Sequence, residues 1–417
     1  MSGLQDSGLS GARGGAVSGA RGGDMSVARG GEVSEARGGA VGRREDGLSR
    51  VWIAGGARTP LGGWDGGLKD YKEQGLAAAA MSLTLERAGA AAGDLSEIIV
   101  GAAKQTSLPS NLARYAMLEA GFPDTVPAYT AQRQSASGLQ AIVNGLWAIK
   151  SGLADLILAG GSESMSRMPG EIHQARYAFG PASRLIFDPI AAQVAGAQPE
   201  ALYGRLTLED VNSRLAEAGG ITAGEMERFA ADSGRKAASR TERPWICKLK
   251  TRRGKAVTTL AADEVYSAPS LVARPADGAA MVLLASGERA KRLSPLGEIL
   301  AVGIGAGSPA GEGYAPAGAI SGALGKAGLT QADMALIDIG EMTAAQALVT
   351  LKALGVSPAD SRVNIAGGGL AVGNPWGASG PAQLVDMIYA LDGRGHGMIV
   401  TPAEGGQAIC LIIRAGV

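Results

Sequence analysis

Two kinds of apolar pattern alternate along the chain from about residue 51 onwards. Short apolar runs bounded by glycine or polar residues predict buried strands at 51–54, 97–100 and 156–161. Between these runs, apolar residues recur at helical spacing, which predicts helices at 73–89, 111–121 and 138–151. Strands that alternate with helices are typical of βαβ crossovers. The pattern therefore predicts an α/β fold with a mainly parallel sheet.

The second half of the chain repeats this rhythm. It shows helical spacing at 317–328, 343–354 and 380–391, and apolar runs at 335–339, 398–400 and 408–413. In each half, a loop of small residues ending in Ser-Gly opens a helix, at Ser137-Gly138 and at Ser379-Gly380. Two similar halves with matching loops predict an internal duplication.

A more polar stretch, residues 170–276, separates the halves and has its own helical segments near 207–217 and 222–240. We interpret it as an inserted loop domain. The N-terminal half is then 51–169 together with 277–290, and the C-terminal half is 291–417. Residues 1–50 are different, because Ala-Arg-Gly-Gly recurs there with a period of eight. Such a segment offers little apolar surface to bury, so we predict a disordered tail and leave open whether it has a function.

Composition narrows the functional classes. Hydrophobic residues make up 46% of the chain and charged residues 19%, and the 39 basic and 39 acidic residues cancel. A neutral chain has no overall attraction to nucleic acid or to an anionic membrane. No apolar run approaches the roughly 20 residues of a membrane span. Two cysteines, Cys247 and Cys410, form no disulfide framework. We therefore expect a cytoplasmic protein with no metal site, and an inert core thiol at Cys410.

Three blocks carry a family resemblance. Residues 131–141 read AQRQSASGLQA, 366–380 read AGGGLAVGNPWGASG, and 401–409 read TPAEGGQAI. They resemble the signature blocks of the thiolases, which make or break a carbon–carbon bond between acyl-CoA thioesters. Residues 57–60 (ARTP) and 159–166 (AGGSESMS) also match that family. The chain is identified as a member of the thiolase superfamily over about 51–417.

The resemblance implies a particular architecture and assembly. It predicts the thiolase fold, with two duplicated halves layered αβαβα, two central helices that meet near the middle, and the inserted loop domain. Thiolases dimerise through an edge strand before the nucleophile, and residues 126–131 occupy that position. We expect a homodimer or higher oligomer, or a hetero-oligomer with an active thiolase-like paralogue.

The reactive side chains of the family are replaced. Ser135 stands where the resemblance places the nucleophilic cysteine, Asn374 stands at the histidine of the Gly-His-Pro motif, and Pro402 stands at the second cysteine. A serine hydroxyl needs an adjacent base. Asparagine accepts no proton at neutral pH, and proline has no titratable group. These three positions predict the loss of ordinary thiolase turnover.

Two carboxylates lie at neighbouring positions of the same motifs. Glu341, in Gly340-Glu341-Met342-Thr343, retains the acid of the family's Asn-Glu-Ala-Phe motif, whose asparagine is gone. Glu404 replaces the first glycine of the third block, which puts a carboxyl beside a site that should stabilise an oxyanion. Removing one oxyanion donor costs about 10²–10³ in rate.

Coenzyme A is the ligand that the resemblance implies, as a substrate and not as a covalently bound cofactor. Ala273 aligns with a serine that contacts the pantetheine in the family. Lys248, Arg252 and Arg253 lie in a basic loop of the kind that holds the adenosine end, and a solvated hairpin explains that loop equally well.

Three functions stay open from the sequence. The first is a non-catalytic or partner subunit that binds acyl-CoA weakly or not at all. The second is a non-standard acyltransferase that uses Ser135, with Glu341, Glu404, His173 or water as its base. The third is retro-aldol or hydrolytic chemistry with Glu341, Glu404 or Tyr203.

Overall fold

A mixed ten-stranded sheet is the main structural element of the described chain, in the order β10-β11-β12-β9-β1-β8-β5-β3-β4, with the short β2 paired to β8. The computed structural model describes residues 50–172, 186–253, 256–268, 270–309 and 314–416, without the side chains of Arg253 and Tyr314. The strands are β1 (Val51–Arg58), β2 (Gly62–Gly63), β3 (Glu97–Gly101), β4 (Ala128–Ala131), β5 (Leu156–Ser164), β8 (Ala276–Ser286), β9 (Gly297–Ala306), β10 (Met334–Ile339), β11 (His396–Ala403) and β12 (Gln407–Ala415).

Helices cover both faces of this sheet and agree with the apolar spacing to within a few residues. The helices of the two halves are α1 (Glu73–Ala88), α2 (Leu112–Glu119), α3 (Ser137–Lys150), α7 (Gly287–Ala290), α8 (Tyr314–Ala327), α9 (Ala344–Leu354), α10 (Gly369–Val372) and α11 (Ser379–Ala390). Within the described residues, no helix is both long and apolar enough to cross a membrane.

The strand directions contradict the predicted mainly parallel sheet. Parallel pairing occurs at the two ends of the sheet, between β3 and its neighbours β4 and β5 and between β10 and β11. The strands between them pair antiparallel, so the sheet is mixed and not mainly parallel. The physical reason is the connection: β12 follows β11 through a tight turn at 404–406, without the crossover helix that parallel pairing needs.

Three apolar cores show the layering. α1 and α2 pack on one face of the N-terminal strands, α3 and α11 share the central core, and α8 and α9 pack on the C-terminal strands. This arrangement gives the αβαβα layers that the resemblance implies. The two half-sheets are joined directly by only two residue pairs of β1 and β9, Trp52 with Glu298 and Ile53 with Gly297.

α3 and α11 meet at their N-termini, at the two Ser-Gly pairs. A Cβ built at Gly138 would lie 2.1 Å from the Gly377 carbonyl oxygen and 2.4 Å from Pro381 Cγ. A Cβ at Gly380 would lie 2.4 Å from Leu139 Cγ. A Cβ has no room at either glycine, because Gly138 faces the backbone of Gly377 and Gly380 faces the side chain of Leu139. The predicted meeting of these helices is therefore observed.

The inserted segment contains helices and one separate hairpin. Its elements are α4 (Glu200–Tyr203), α5 (Leu208–Gly219), α6 (Ala223–Ala237), β6 (Leu249–Arg253) and β7 (Ala256–Leu260). Capping boxes begin α5 at Thr207 and α6 at Thr222. The hairpin of β6 and β7 forms its own two-stranded sheet, with β7 largely exposed.

Candidate functional site

One cavity of ≈ 410 Å³ contains all four predicted catalytic positions in its wall. Ser135, Glu341, Asn374 and Pro402 line it together, although they come from distant parts of the chain. The cavity runs between the two halves beneath residues 239–246 of the insertion. Its volume lies within the range of small-molecule sites.

Ser135 sits in a tight elbow before α3. Gln134 has a positive φ of 46°, an uncommon backbone conformation for a side chain other than glycine. The elbow is held by Ser137, whose hydroxyl donates to the Gln134 carbonyl at 2.5 Å and accepts from the Arg133 N–H at 2.8 Å. Ser135 itself is 2% exposed and lies two residues before the helix begins.

Glu404 binds both polar groups of Ser135. The Ser135 hydroxyl donates to Glu404 Oε1 at 2.8 Å, and the Ser135 backbone N–H donates to Oε2 at 3.0 Å. The Gln193 side-chain amide also donates to Oε1. Glu404 is 1% exposed, and its burial raises the pKa of its carboxyl against the opposing effect of these donors. The sequence placed Glu404 near an oxyanion site; the structure makes it the direct partner of Ser135.

Asn374 and Pro402 supply no proton-transferring group. Asn374 Oδ1 accepts a hydrogen bond from the Ser379 hydroxyl, and its backbone N–H donates to the Arg274 carbonyl at 2.8 Å. Pro402 lies within β11, opposite Ala408 of β12. A Cβ at Gly340 would come within 2.8 Å of Pro402 Cδ, so the ring packs closely against the motif that contains Glu341.

Glu341 is buried and its oxygens are engaged by the protein. Oε1 accepts from the Asn364 amide at 2.7 Å, while Oε2 accepts from the Ser233 hydroxyl at 2.7 Å and the Leu370 N–H at 3.2 Å. Burial raises the pKa of Glu341, and these donors lower it in part. Glu341 therefore fastens α6 and the 364–370 loop to the end of β10.

A buried ion-pair network forms part of the cavity wall. Arg58 donates to Asp263 at 2.6 and 3.0 Å and to Asp386 at 2.8 Å. Arg240 donates to Asp263 at 2.6 Å and also binds two carbonyls of the 366–367 loop. Burial alone would raise the pKa of Asp263, but the two guanidinium groups outweigh burial and hold its pKa well below the usual range. The ARTP motif contains Arg58, but nothing in the sequence indicated that it pairs with Asp263 and Asp386.

The residues predicted to hold coenzyme A lie away from this cavity wall. Lys248 is exposed and pairs with Glu242, and Arg252 is exposed on β6. Ala273 is buried, and its N–H donates to the Met342 carbonyl at 2.9 Å. Only the backbone of Arg253 is described. The basic residues that line the cavity are instead Arg58, Arg240, Arg243 and Arg362. Coenzyme A binding at Lys248, Arg252, Arg253 and Ala273 stays a prediction.

Two further candidates, Tyr203 and His173, lie in the inserted segment. Tyr203 ends α4 and is not among the residues that line the cavity. His173 lies outside the described residues. Among those residues, no group of three or more His, Cys, Asp or Glu side chains is placed to hold a metal ion. Both cysteines are buried free thiols, and burial raises the pKa of Cys247 to about 12.

Comparison with known families decides the lineage of this site. The model "Thiolase, N-terminal domain" matches residues 51–274, and the model "Thiolase, C-terminal domain" matches residues 293–415. The chain belongs to the thiolase family. Residues of its thiolase blocks line the cavity, among them Ser135, Asn374 and Pro402.

Relatives and solved structures agree with this assignment. An acetyl-CoA acetyltransferase of Syntrophomonas wolfei is 32% identical over 398 residues, covering 88% of this chain and 99% of the relative. A β-ketoadipyl-CoA thiolase of Acinetobacter baylyi is 31% identical, with the same coverage. The crystal structure of Bacillus anthracis acetyl-CoA acetyltransferase has a TM-score of 0.81 and 28% identity, covering 88% of this chain and 99% of that one. The crystal structure of human mitochondrial 3-ketoacyl-CoA thiolase in complex with CoA has a TM-score of 0.80 and 26% identity, covering 88% of this chain and 98% of that one.

Proposed function

We propose that this thiolase-family protein is a non-catalytic subunit, which retains a ligand cavity but does not turn over acyl-CoA. The observation that carries the proposal is the contact between Ser135 and Glu404. One buried carboxyl accepts both the hydroxyl and the backbone N–H of the residue at the nucleophile position.

This contact opposes acyl transfer for an electrostatic reason. Attack on a thioester creates a negatively charged tetrahedral oxygen, which needs preorganised donors such as the N–H of the nucleophile itself. At Ser135 that N–H already binds Glu404, so an ionised carboxylate would repel the developing charge. Asn374 and Pro402 add no acid or base to offset this repulsion.

The test uses the full-length protein with acetyl-CoA and, separately, acetoacetyl-CoA plus CoA. We expect no acyl adduct by intact mass spectrometry and no change in free thiol or acetoacetyl-CoA concentration beyond the buffer rate. Ser135→Ala serves as the matched control and should behave identically. Thiolysis or condensation by the unmodified protein that is lost in Ser135→Ala would overturn the proposal.

A second candidate function is an acyltransferase in which Glu404 acts as the base for Ser135. The Ser135 hydroxyl lies 2.8 Å from Glu404 Oε1, within reach for proton transfer, and burial raises the pKa of that carboxyl towards the working range of a base. In such an acyltransferase, Ser135 Oγ forms the ester bond, its proton moves to Glu404, and the CoA thiolate leaves with that proton. An acyl adduct that requires both Ser135 and Glu404 would support this candidate.

The retro-aldol alternative receives less support. Glu341 is held by three protein donors, and Tyr203 is absent from the described cavity wall. Glu404 is committed to Ser135 and Gln193. Both carboxyl groups that this alternative could use are therefore already hydrogen-bonded to the protein.

We also propose that a partner pairs with β4. This strand is at the edge of the sheet, and three of its four residues are half-buried. An uncharged open edge invites strand pairing, so a second copy or a thiolase-like paralogue is the expected occupant. Light scattering should give a mass of at least twice 41.9 kDa, or co-purification should recover the paralogue. A monomer without a partner would contradict this proposal.

A further inference from the structure

A second cavity lies in the N-terminal half, apart from the one that contains Ser135. It has a volume of ≈ 190 Å³ and shares none of its lining residues with the first cavity. Its walls come from the start of α1, the loop after β3, α2 and the turn that follows β5. The volume exceeds the roughly 15 Å³ that one water requires and is below the roughly 300 Å³ of drug-sized sites. The second cavity therefore has room for one small organic molecule.

Three polar side chains that line the second cavity have no hydrogen-bond partner among the described residues. The hydroxyl oxygen of Thr106 is buried and unpaired. Glu73 and Gln74, the first two residues of α1, are only 8% and 7% exposed, and neither side chain is hydrogen-bonded to the described part of the chain. Buried polar groups are normally paired. Three unpaired groups around one cavity therefore indicate that a polar molecule fills it.

The inner end of the second cavity is acidic. Glu73 interacts electrostatically with the buried Glu163, whose carboxyl accepts hydrogen bonds from the Ala103 and Gly377 N–H groups. Burial raises the pKa of Glu73 from 4.5 to about 7, and the Thr106 hydroxyl, which approaches without hydrogen-bond geometry, lowers that pKa only in part. Because Glu163 already has donors and Glu73 has none, a cationic donor in the cavity would stabilise the ionised form of Glu73.

The rim of the second cavity is basic and apolar. Lys72 and Arg167 are both exposed there, and neither forms an ion pair with a described residue. Leu108 and Met168 add hydrocarbon surface to the same wall. The two basic groups would repel a simple cation, and the ionised carboxylate of Glu73 would repel a simple anion. A molecule that carries both charges and an apolar part meets neither repulsion.

These observations identify the class of ligand. We propose that the second cavity binds a free α-amino acid with a small apolar side chain, such as leucine. Its ammonium group has three N–H donors, which match the three acceptors of Glu73, Gln74 and Thr106. Its carboxylate faces the basic rim, and its side chain contacts the apolar part of the wall. This site is independent of the proposed function, because it shares no residue with the cavity that contains Ser135.

Three molecules with the same hydrocarbon part test the proposal by isothermal titration of the full-length protein. L-leucine has both charges, 3-methylbutylamine lacks the carboxylate, and 4-methylpentanoate lacks the ammonium group. The titrations are run at pH 8, above the pKa of Glu73. We expect L-leucine to bind at least about tenfold more tightly than either of the others, because each of them loses one set of charged hydrogen bonds.

Variants then assign the binding to the second cavity. Glu73→Gln keeps the shape of the side chain but removes its charge, and should weaken L-leucine binding about tenfold. Glu86→Gln changes an exposed residue of the same helix and should leave the binding unchanged. No binding of L-leucine, equally tight binding of the amine or the acid, or undiminished binding by Glu73→Gln would overturn the proposal. The ranking in the unmodified protein needs no variant to fold, and no step measures acyl transfer.

Discussion

The crossing of α3 and α11 and the side chains beside it differ in how closely they are packed. At the crossing, Gly138 and Gly380 leave no space for a Cβ, and the backbones of the two elbows touch. A few residues away, Ser135, Asn374 and Pro402 stand at the positions where the thiolase resemblance implies reactive groups. A substitution at the crossing meets close contacts in both directions, whereas Ser135, Asn374 and Pro402 contribute to the wall of the cavity.

The largest expected effect comes from adding one methyl group at the crossing. Gly138→Ala places a Cβ where the Gly377 carbonyl oxygen and Pro381 lie within 2.4 Å. The clash is with backbone and a ring, so it cannot be relieved by a side-chain rotation. We expect the free energy of unfolding to fall by about 3 kcal/mol or more, measured by urea denaturation.

Gly234→Ala is the matched control for that substitution. Gly234 lies in α6, has no heavy atom within 4 Å of a built Cβ, and has no positive φ. The same methyl should stabilise the protein by about 0.5–1 kcal/mol, because alanine favours the helix. If both variants lose stability equally, close packing is not what preserves the crossing.

The next effect concerns the reactivity of a thiol placed at residue 135. In Ser135→Cys, the Glu404 carboxyl lies where it repels a thiolate and occupies the backbone N–H. Ser135→Cys/Glu404→Gly restores the family glycine and frees that donor. We expect the double variant to be acylated by acetyl-CoA about 10²-fold faster than the single one, followed by intact mass spectrometry. Equal rates would show that Glu404 does not suppress this position.

A comparable effect should appear in the pH dependence of stability. Glu163 accepts from the Ala103 and Gly377 N–H groups, and so ties the two halves at the crossing. Burial, with Glu73 nearby, raises its pKa from 4.5 to about 8. The unfolded carboxyl then ionises first, so stability contributed by the neutral form is full below about pH 4.5 and declines as the pH rises to about 8.

Glu163→Gln tests this linkage because its side chain cannot ionise. The wild-type protein should lose roughly 3 kcal/mol more than this variant between pH 5 and pH 8, in urea titrations at each pH. Parallel curves for the two proteins would show that Glu163 does not titrate in this range.

The smallest expected effect lies in the C-terminal elbow. Ser379 donates its hydroxyl to Asn374 Oδ1. Ser379→Ala removes that donor from a half-buried site, which should cost about 1 kcal/mol of stability in urea denaturation. Acyl-CoA turnover should stay at the buffer rate in this variant. A gain of turnover would mean that Ser379 restrains Asn374 from acting.

Much of the framework was predictable because it follows from local patterns. The helices at 73–88 and 137–150 and the buried strand containing Cys410 follow from apolar spacing. The meeting of the two Ser-Gly elbows was predicted from the thiolase resemblance and not from the local pattern. The antiparallel centre of the sheet was missed, because apolar runs do not record strand direction and the turn at 404–406 was read only as part of a family block.

The site was less predictable because its key contacts join distant residues. Ser135 and Glu404 are 269 positions apart, and Gln193 reaches the same carboxyl from the insertion. In the sequence, Glu404 is recognisable only as a residue that stands at a glycine position of the family block. The fold is what directs its side chain towards Ser135. The pairing of Arg58 with Asp263 and Asp386 gave no signal either, since these residues lie in three separate segments of the chain.

The close fit of the two elbows has a consequence for how the protein measures its ligand. In hinged enzymes the domains close around the bound ligand, and the gap between the domains adjusts to the size of that ligand. Here Gly138 lies directly against the backbone of Gly377, so the two halves cannot move closer together at the crossing. We therefore expect the cavity to select ligands by length and shape. A molecule that is too short leaves unfilled space, because the two halves cannot close around it.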